Sequence, residues 1–555
     1  MNLQPLFVRM RKHAPLALVL LCAIVAVAAY LQALDYPFVD DDDIYIVKNT
    51  KLAGLHLSEL WRLFSEPYND YEFLPLRDLS YWLDIALFGL TPAAFRLHSI
   101  LLYLFCLPLV YYTSLGLWRY FRPADISGAP WAAAAVTALF VVHPSHVDAV
   151  VWISSRKDVL STLFSLLGIW FALHAKRENG FSNSFAVAAL AALLAAMLSK
   201  ATAVAVAPVI AMLWLFFWRD IPDQSRHRSV LLWPFASLLL AACFVLIFSE
   251  YSAAKAPVYF GFEVITRVMA SLGWLARLSI SPESRHFIYP VFDDPYLPVM
   301  VAFGVVILVA ALASLVMILR KRSLEGFALI AFVLLCMPYS QLIPYYTNSL
   351  VADRFLTLAT WPAMVLIVSL SWRLKKATRA VLLLITALLW VFQTVDRPND
   401  WRSHEALVDT DLQAYPGHYL PAYQKIIYFD LPKQRFREAG EIANSITLPE
   451  ARDIMTNLVE VSKDLRDVST TGDPHDAMIH LQNLERLFKK PPPLQAKWNP
   501  TMLYFWQESQ DSYVIAWRWL VKIFPDDEVV RYSARVSLQN VLKYGNAATR
   551  LQSIP

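Results

Sequence analysis

Charged residues are scarce in this chain. Only 17% of its 555 residues are Asp, Glu, Lys or Arg, while 57% are hydrophobic and the mean hydropathy is +0.43. Such a composition excludes a soluble globular protein and predicts a polytopic membrane protein. The net charge is only +4, and the basic residues form short clusters between apolar runs. This pattern excludes nucleic acid as a natural partner, because nucleic-acid binding needs a broad basic surface.

Cysteine is also rare. The four cysteines all fall inside apolar runs, at Cys22, Cys106, Cys243 and Cys336. Their spacing fits neither a disulfide framework nor a thiolate metal site. We expect them to be small core residues.

Eleven apolar runs are long enough to cross a bilayer, which takes about 17–25 helical residues. They lie near 14–34, 96–117, 130–147, 158–175, 183–199, 201–218, 230–249, 297–319, 325–343, 354–371 and 378–395. The sequence therefore predicts an all-α polytopic membrane protein.

The basic clusters predict its orientation. Arg9, Arg11 and Lys12 precede the first run, which lacks a cleavage site and is read as a retained span. The other basic clusters follow every second run, so we expect a cytoplasmic N-terminus. An odd number of spans then leaves everything after about residue 396 on the outer face. In a bacterium this is a multi-pass inner-membrane protein with its C-terminal part in the periplasm.

We expect two domains. Residues 1–397 form the transmembrane domain, with outer-face loops at about 35–95 and 250–296. Residues 398–555 form a helical outer-face domain, because amphipathic stretches alternate there with proline turns at tetratricopeptide-like spacing.

Two further outer-face segments, 56–90 and 262–280, are apolar but interrupted by charge. This pattern favours helices that lie in the headgroup plane. The alternative for the second segment is a twelfth span, which would move the C-terminal domain to the cytoplasm.

Four polar islands interrupt the apolar part of the chain. They are residues 38–49, 143–158, 198–202 and 345–355, and the predicted topology puts all four on the outer face. An ionisable group at bilayer depth costs roughly 2.5–3.5 kcal/mol at a helix centre, so such groups persist mainly where they line a site. The pattern is typical of an enzyme.

The first island contains four consecutive aspartates, Asp40 to Asp43. Crowding of like charges in a partly desolvated place raises the proton affinity of a carboxylate, as a general base requires. We expect Asp41 or Asp42 to be that base. The alternatives are a solvated acidic surface and a divalent cation held by paired carboxylates.

The second island supplies His143, His146 and Asp148, followed by Arg156 and Lys157. The two histidines lie one helical turn apart, which suits substrate hydrogen bonding. Metal ligation is the alternative, although no further ligand can be placed nearby. For Arg156 and Lys157 the alternative is anchoring at the membrane interface.

The third and fourth islands bring cations. Lys200 lies in a short link between two runs and Arg354 begins a span, so both can reach the level of a lipid phosphate. With Arg156, we expect them to bind the phosphate of a lipid-linked donor. Snorkelling to the interface is the alternative for each.

These residues stand in blocks that resemble the transmembrane and tetratricopeptide-repeat (TMTC) O-mannosyltransferases and their bacterial relatives. The blocks are FVDDDDIYIVKN, HPSHVDAVVWISSRKD, LSKATAVAVAP, YYTNSLVADRF and RPNDWRSHEALV, in that order. The resemblance implies the C-type glycosyltransferase fold, a polyprenyl-phosphate-linked sugar as donor, and an acidic base in the first outer loop. Carried over by position, the family's functional residues fall on Asp41, Asp42, His143, His146, Asp148, Lys200, Asp353 and Arg354.

The chain departs from the family pattern at two places. Leu74-Pro75-Leu76 replaces Arg-Pro-Leu, which leaves Arg77 as the nearest substrate-binding arginine, and Ala201 follows Lys200 where the family has glutamate. These departures bear on the identity of donor and acceptor.

We therefore expect a glycosyltransferase that moves a sugar from the lipid donor to a Ser or Thr hydroxyl of an exported protein such as a pilin, with inversion. The sequence requires no cofactor, although a divalent cation is possible. The alternatives are a transferase acting on lipopolysaccharide or another envelope glycan, and a non-enzymatic lipid or glycan transporter.

Overall fold

A computed structural model shows an almost entirely helical chain. It describes residues 4–68, 72–177, 180–220, 228–248, 262–281, 287, 289, 295–320, 322–340, 342, 349, 351–471, 473–488 and 500–544. In that part of the chain the only strands are β1 (Lys176–Arg177) and β2 (Gly180–Phe181), which form a two-residue antiparallel hairpin. The predicted all-α membrane fold is confirmed.

The helices up to the last span are α1 Gln4–Leu31, α2 Thr50–Ala53, α3 Pro75–Phe88, α4 Pro92–Phe121, α5 Ala129–Val141, α6 His146–Val151, α7 Arg156–Ala175, α8 Asn183–Ser199, α9 Val206–Arg219, α10 Leu232–Phe248, α11 Phe262–Ile280, α12 Leu297–Arg320, α13 Leu324–Cys336, α14 Thr360–Ser371 and α15 Lys376–Asp396. Those that follow are α16 His404–Ala414, α17 Tyr419–Gln424, α18 Phe436–Ser445, α19 Pro449–Thr471, α20 His475–Phe488, α21 Pro500–Ile523 and α22 Glu528–Tyr544.

Every predicted span coincides with an apolar helix. In the described part of the chain, six helical segments are long and apolar enough to cross a bilayer: Ala14–Leu31, Pro92–Phe121, Ile153–Ala175, Ala201–Arg219, Leu297–Ile318 and Lys376–Arg402. Five shorter apolar helical segments account for the other predicted spans: Ala129–Val141, Asn183–Ser199, Leu232–Ile247, Leu324–Tyr339 and Thr360–Ser371.

Some of the short helices end before the predicted boundary. α5 stops at Val141 rather than 147, and α14 starts at Thr360 rather than 354. At 1.5 Å per residue, helices of 12 or 13 residues reach only about 20 Å, less than the roughly 30 Å hydrocarbon core. Irregular backbone therefore continues below the membrane surface, which is tolerated where it is buried in protein or lines a cavity.

The predicted basic loops meet at one end of the bundle. Asp220, after α9, accepts a hydrogen bond from Tyr120 at 2.7 Å and forms ion pairs with Lys176 and Arg322. Glu325, at the start of α13, pairs with Arg122 at 2.6 Å. The ends of α4, α7 and α9 and the start of α13 thus share one face. Which side of the membrane this face occupies stays a prediction from the charge rule.

The first interfacial segment is amphipathic as expected. A 3₁₀ helix, Leu57–Phe64, exposes Leu57 and Trp61, and α3 exposes Leu87 and Phe88 while burying its charged residues. Exposed apolar side chains beside a buried polar face suit a helix at the headgroup level. Much of the second predicted outer loop, 250–296, lies outside the described residues.

The second segment, α11, packs closely against another helix of the bundle. It runs antiparallel along α12, as two contacts show: Gly273 lies against Met300, and Gly304 lies against Met269. At both glycines an added Cβ would come within about 2.0 Å of a backbone oxygen. The packing resembles that of paired transmembrane helices, and the orientation of residues 262–280 in the membrane stays a prediction.

Beyond α15 the chain forms further helices that pack against one another. Tyr423 of α17 donates a hydrogen bond to the Glu508 carbonyl of α21 at 3.2 Å, and Ser537 of α22 donates to Glu485 of α20 at 2.5 Å. The described helices differ in length, from six residues in α17 to 24 in α21. The tetratricopeptide-like repeat and the domain boundary at 397 stay predictions.

The close approach of α11 and α12 yields a stability prediction. Gly273→Ala should lower the free energy of unfolding by about 1–3 kcal/mol, because the new methyl group must push the helices apart. Gly440 in α18 is the matched control, since an added Cβ meets nothing within 4 Å there. Gly440→Ala should be neutral or stabilising by up to about 1 kcal/mol. Thermal unfolding in detergent, followed by tryptophan fluorescence, would measure both, and equal effects would contradict the packing described.

Candidate active site

The four polar islands converge at the end of the bundle opposite the basic loops. Asp42 of the first island accepts hydrogen bonds from Ser154 of the second, and Lys200 of the third forms an ion pair with Asp158 of the second at 2.5 Å. The Lys200 ammonium also lies 5.2 Å from the ring centre of Phe355, which is one of the described residues of the fourth island. Stretches far apart in sequence therefore share one site, as the sequence predicts.

Asp42 is fully buried and completely hydrogen-bonded. One carboxylate oxygen accepts from the Ser154 amide at 2.7 Å and from its hydroxyl at 2.5 Å, and the other accepts from the Val39 amide at 3.0 Å. These bonds tie the acidic loop to the turn before α7. The hydrogen bonds of Asp42 therefore hold the loop in place, and its expected role as a base stays a prediction.

Asp41 differs from its neighbour. Its backbone carbonyl accepts from Ile44 and Tyr45, but among the described residues its carboxylate has no hydrogen-bond or ion-pair partner. It is only partly buried. Asp40, which adopts a left-handed backbone conformation with φ of 55°, lies 3.4 Å from the Nε2 atom of His404. Asp41 is thus the carboxylate of the loop that remains available to a substrate.

The environment of Asp41 favours proton uptake. Burial and the neighbouring Asp40 raise the pKa of its carboxyl to about 7, against the lowering effects of Lys157 and Arg354. Burial likewise raises the pKa of Asp40 and of Asp42 to about 6. A carboxylate that titrates close to neutral pH is suited to take a proton from a hydroxyl group.

Glu72 is also part of the site, although no sequence pattern predicts it. It accepts from Lys157 with both oxygens at 2.8 Å and from Arg77 at 2.6 Å. Burial opposes its ionisation, but these two cations lower the pKa of the carboxyl to about 2. Arg77 is itself fully buried and also paired with Asp78 at 2.8 Å. Arg77 is thus part of an internal ion-pair network, and its expected role in substrate binding stays a prediction.

Arg156 is likewise engaged by protein groups. It is fully buried, pairs with Asp84 at 2.6 Å, and donates to the Phe95 carbonyl at 2.6 Å. Its remaining donors reach Ser99 at 3.1 Å and Ser80 at 3.2 Å. These contacts join α3, α4 and α7, and the expected role of Arg156 in binding a donor phosphate stays a prediction.

Arg354 lacks the carboxylate partner that Lys200 and Arg156 have. It is 9% exposed and its guanidinium lies about 5 Å from three aromatic rings, those of Trp152 (4.9 Å), Phe287 (5.0 Å) and Phe355 (5.2 Å). Among the described residues it has neither an ion pair nor a side-chain hydrogen bond, and its buried Nη1 atom is unsatisfied. An unpaired buried charge is costly, so this guanidinium is poised for an anion.

A cleft of about 330 Å³, including its open mouth, contains two of the three predicted phosphate-binding cations. Arg354 and Lys200 line it together with Asp158, Tyr339 and Phe355. Because Lys200 is neutralised by Asp158, the surplus positive charge of the cleft comes from Arg354. The cleft is therefore suited to a single anionic group flanked by apolar surface.

The two histidines are buried and bonded to protein. His143 Nδ1 lies 2.7 Å from the Ser145 hydroxyl, and His146 contacts Tyr103 at 2.7 Å and Thr360 at 2.8 Å. Both are fully buried, and their expected contact with substrate stays a prediction. They do not support metal ligation: within the described ranges, no group of three or more His, Cys, Asp and Glu side chains could hold a metal ion.

Arg397 is the main residue that the sequence analysis missed. It follows the last span directly and donates to the carboxylates of Asp353, in a very short contact, and Asp148, at 3.5 Å. Asp353 also accepts from Tyr289 at 3.0 Å and is fully buried. Asp353 therefore lies inside an ion-pair network, while Asp148 lines a second, smaller cavity beside Trp401.

The segment after Arg397 completes the site. Trp401 stacks on Trp152, with ring centres 5.3 Å apart, and Asp411 accepts a hydrogen bond from the Phe287 amide at 2.8 Å. Trp152 and Phe287 are two of the rings around Arg354. The chain beyond the last span is thus built into the wall of the site.

Comparison with known proteins supports the predicted resemblance. No family model matches the chain. The chain is similar to the protein O-mannosyl-transferases TMTC4 of Mus musculus (30% identity over 173 residues), TMTC2 of Mus musculus (28% over 170) and Tmtc1 of Drosophila melanogaster (30% over 162). The matches cover 28–29% of this chain and 18–23% of the relatives.

The fold and the comparisons together define an all-α polytopic membrane protein. Its predicted resemblance to the TMTC O-mannosyltransferases is confirmed by several such relatives. The match spans less than a quarter of the curated relatives' length.

The contrast between Asp42 and Asp41 yields a second prediction. Asp42→Ala should destabilise the protein by about 1–3 kcal/mol for each backbone donor left unsatisfied, those of Val39 and Ser154. Asp41→Ala should change stability by no more than about 0.5 kcal/mol, because no side-chain bond is lost. The apparent unfolding temperatures of the two variants in one detergent would separate them, and a larger loss for Asp41→Ala would contradict the assignment.

Proposed function

We propose that this protein is a membrane glycosyltransferase that moves a sugar from a polyprenyl-phosphate-linked donor to an acceptor hydroxyl. The observation that carries the proposal is the pairing of charges at the site. Among its described residues, nearly every ionised group has a protein partner, but Arg354 and Asp41 do not. One free cation for a phosphate and one free carboxylate for a hydroxyl proton are what this reaction requires.

The donor phosphate occupies the cleft at Arg354. Guanidinium binds phosphate through charge-assisted hydrogen bonds, and the surrounding rings exclude water and strengthen them. Lys200, held by Asp158, is a second cationic group that lines the cleft. The prenyl chain follows the exposed apolar surface of the bundle.

Asp41 is the proposed general base. The positive charge of Arg354 lowers the pKa of the Asp41 carboxyl, which supports a base close to the phosphate site. Asp41 takes the proton from the acceptor hydroxyl, and the oxygen attacks the anomeric carbon. The bond from that carbon to the phosphate oxygen breaks, and the released polyprenyl phosphate carries negative charge that Arg354 stabilises. A single displacement inverts the anomeric centre.

The acceptor is proposed to be a Ser or Thr hydroxyl of an exported protein. This part rests on the similarity to proteins named protein O-mannosyl-transferases. The site faces the periplasm in this proposal, in keeping with the charge rule. Asp148, whose Oδ2 atom is buried and unsatisfied beside the second cavity, is proposed to bind a sugar hydroxyl.

Removal of the base gives the first functional prediction. In cells that lack the gene, complementation with Asp41→Asn should restore about 10²–10⁴-fold less transfer than wild type, since the amide cannot accept the proton. Mass spectrometry of envelope proteins and glycolipids, looking for a lost sugar mass, gives the readout and identifies the acceptor. Full transfer by Asp41→Asn would overturn the assignment of the base.

The pKa of Asp41 predicts the pH profile. The base acts as the carboxylate, so the rate should be constant above the pKa of about 7 and fall tenfold per pH unit below it. The residual rate of Asp41→Asn should lack this acid limb. The transfer rate of the wild-type protein should be measured in membranes from about pH 5 to about pH 8, a range around this pKa. A rate that stays constant over this range would show that another group takes the proton.

Loss of the unpaired cation gives a further prediction. Arg354→Gln should reduce transfer about 10²–10³-fold, the usual effect of removing one group that stabilises developing negative charge. Its matched control is Arg373→Gln, which removes a largely exposed arginine at the opposite end of the bundle and should leave transfer unchanged. Equal activity of Arg354→Gln and wild type would exclude the cleft as the phosphate site.

A further inference from the structure

Arg354 has no ion-pair partner among the described residues, although two carboxylates lie close to it. Asp353 is its neighbour in a short 3₁₀ turn, Asp353–Leu356, and Asp148 lies close enough for Arg354 to influence its titration. Each carboxylate has a buried oxygen without a hydrogen-bond partner, Oδ1 of Asp353 and Oδ2 of Asp148. An unpaired guanidinium beside two such carboxylates should form an ion pair with one of them. In this structure it does not.

The reason is that Arg397 already holds both carboxylates. Its guanidinium is 4% exposed and contacts Asp353 and Asp148 at the same time, while also reaching the Pro144 carbonyl at 3.5 Å. In a 3₁₀ turn successive side chains point about 120° apart. Asp353 therefore faces Arg397, and Arg354 faces the rings of Trp152 and Phe355.

We propose that Arg397 is a positioning residue that keeps Arg354 available for the donor phosphate by occupying the two carboxylates that would otherwise neutralise it. Arg397 touches neither the phosphate nor the sugar. It acts through Asp353 and Asp148, and it comes from the segment that follows the last span. The segment after α15 is thereby coupled to donor binding. The inference rests on the proposed role of Arg354.

Binding of a sugar-free probe tests this role separately from catalysis. The full chain in nanodiscs is titrated with farnesyl phosphate, and farnesol serves as the uncharged control. Arg397→Gln should weaken farnesyl phosphate binding at least about tenfold, because Arg354 turns to the freed carboxylates. Binding of farnesol should not change. In transfer assays the loss should appear mainly in the KM for the donor.

Rescue distinguishes positioning from a merely structural role. The triple variant Arg397→Gln, Asp353→Asn, Asp148→Asn has no carboxylate to compete for Arg354, so its affinity should return to within about threefold of wild type. Replacing a whole buried ion-pair triad by neutral groups is also better tolerated than removing one member. Affinity as weak in the triple variant as in Arg397→Gln would overturn the proposal, and so would unchanged affinity in Arg397→Gln.

Two further variants keep the test decisive. If Arg397→Gln does not fold, the double variant Asp353→Asn, Asp148→Asn still tests the inference: it should bind farnesyl phosphate at least as well as wild type, and weaker binding would overturn it. Arg354→Gln separates this inference from the proposed function. Unchanged binding in Arg354→Gln refutes the phosphate site itself, whereas loss there with unchanged binding in Arg397→Gln refutes only the positioning role.

Discussion

The pairing of buried charges is the constraint on which the site depends. Ionised side chains below the membrane surface are tolerated when another charge or several hydrogen bonds compensate each of them. The structure meets this requirement for Glu72, Asp158 and Arg156 through ion pairs within the protein, and for Asp42 through three hydrogen bonds. Arg354 is the exception that gives the site its charge. The stable network defines, by exclusion, the groups left to act on a substrate.

The same network explains why the chain beyond the last span matters. Arg397, Trp401 and Asp411 each contact an element of the transmembrane part, through an ion pair, a stacked ring and a hydrogen bond to backbone. His404 lies beside Asp40 of the acidic loop. The helices that follow are thus attached to the site through its own wall, and an acceptor bound by them would lie close to the cleft.

Much of the architecture could be predicted from the sequence, because hydropathy and basic clusters report directly on bilayer crossing. All eleven apolar runs became helices, and the four islands met on one face. Helix ends were less predictable: Pro144 follows α5 closely, and the turn at Asp353–Leu356 precedes α14. These irregular stretches carry His143 and Arg354 out of regular helix.

The partners of charged residues could not be predicted from one sequence. Arg156 and Arg354 look alike as isolated cations among apolar residues, but Arg156 faces Asp84 from α3, while Arg354 faces aromatic rings. Arg397 carried a weak signal, since it follows an apolar run directly and opens a block shared with the resembled family. Glu72 carried none, because its role depends on Lys157, 85 positions later.

The most direct test of the account is a structure of the Asp41→Asn variant in nanodiscs with a polyprenyl-phosphate-linked sugar bound. The phosphate oxygens should lie about 2.7–3.0 Å from the Arg354 guanidinium. Arg397 should remain paired with Asp353 and Asp148, and the side chain at position 41 should face the anomeric carbon. A phosphate held elsewhere, with Arg354 paired to Asp353, would contradict the account.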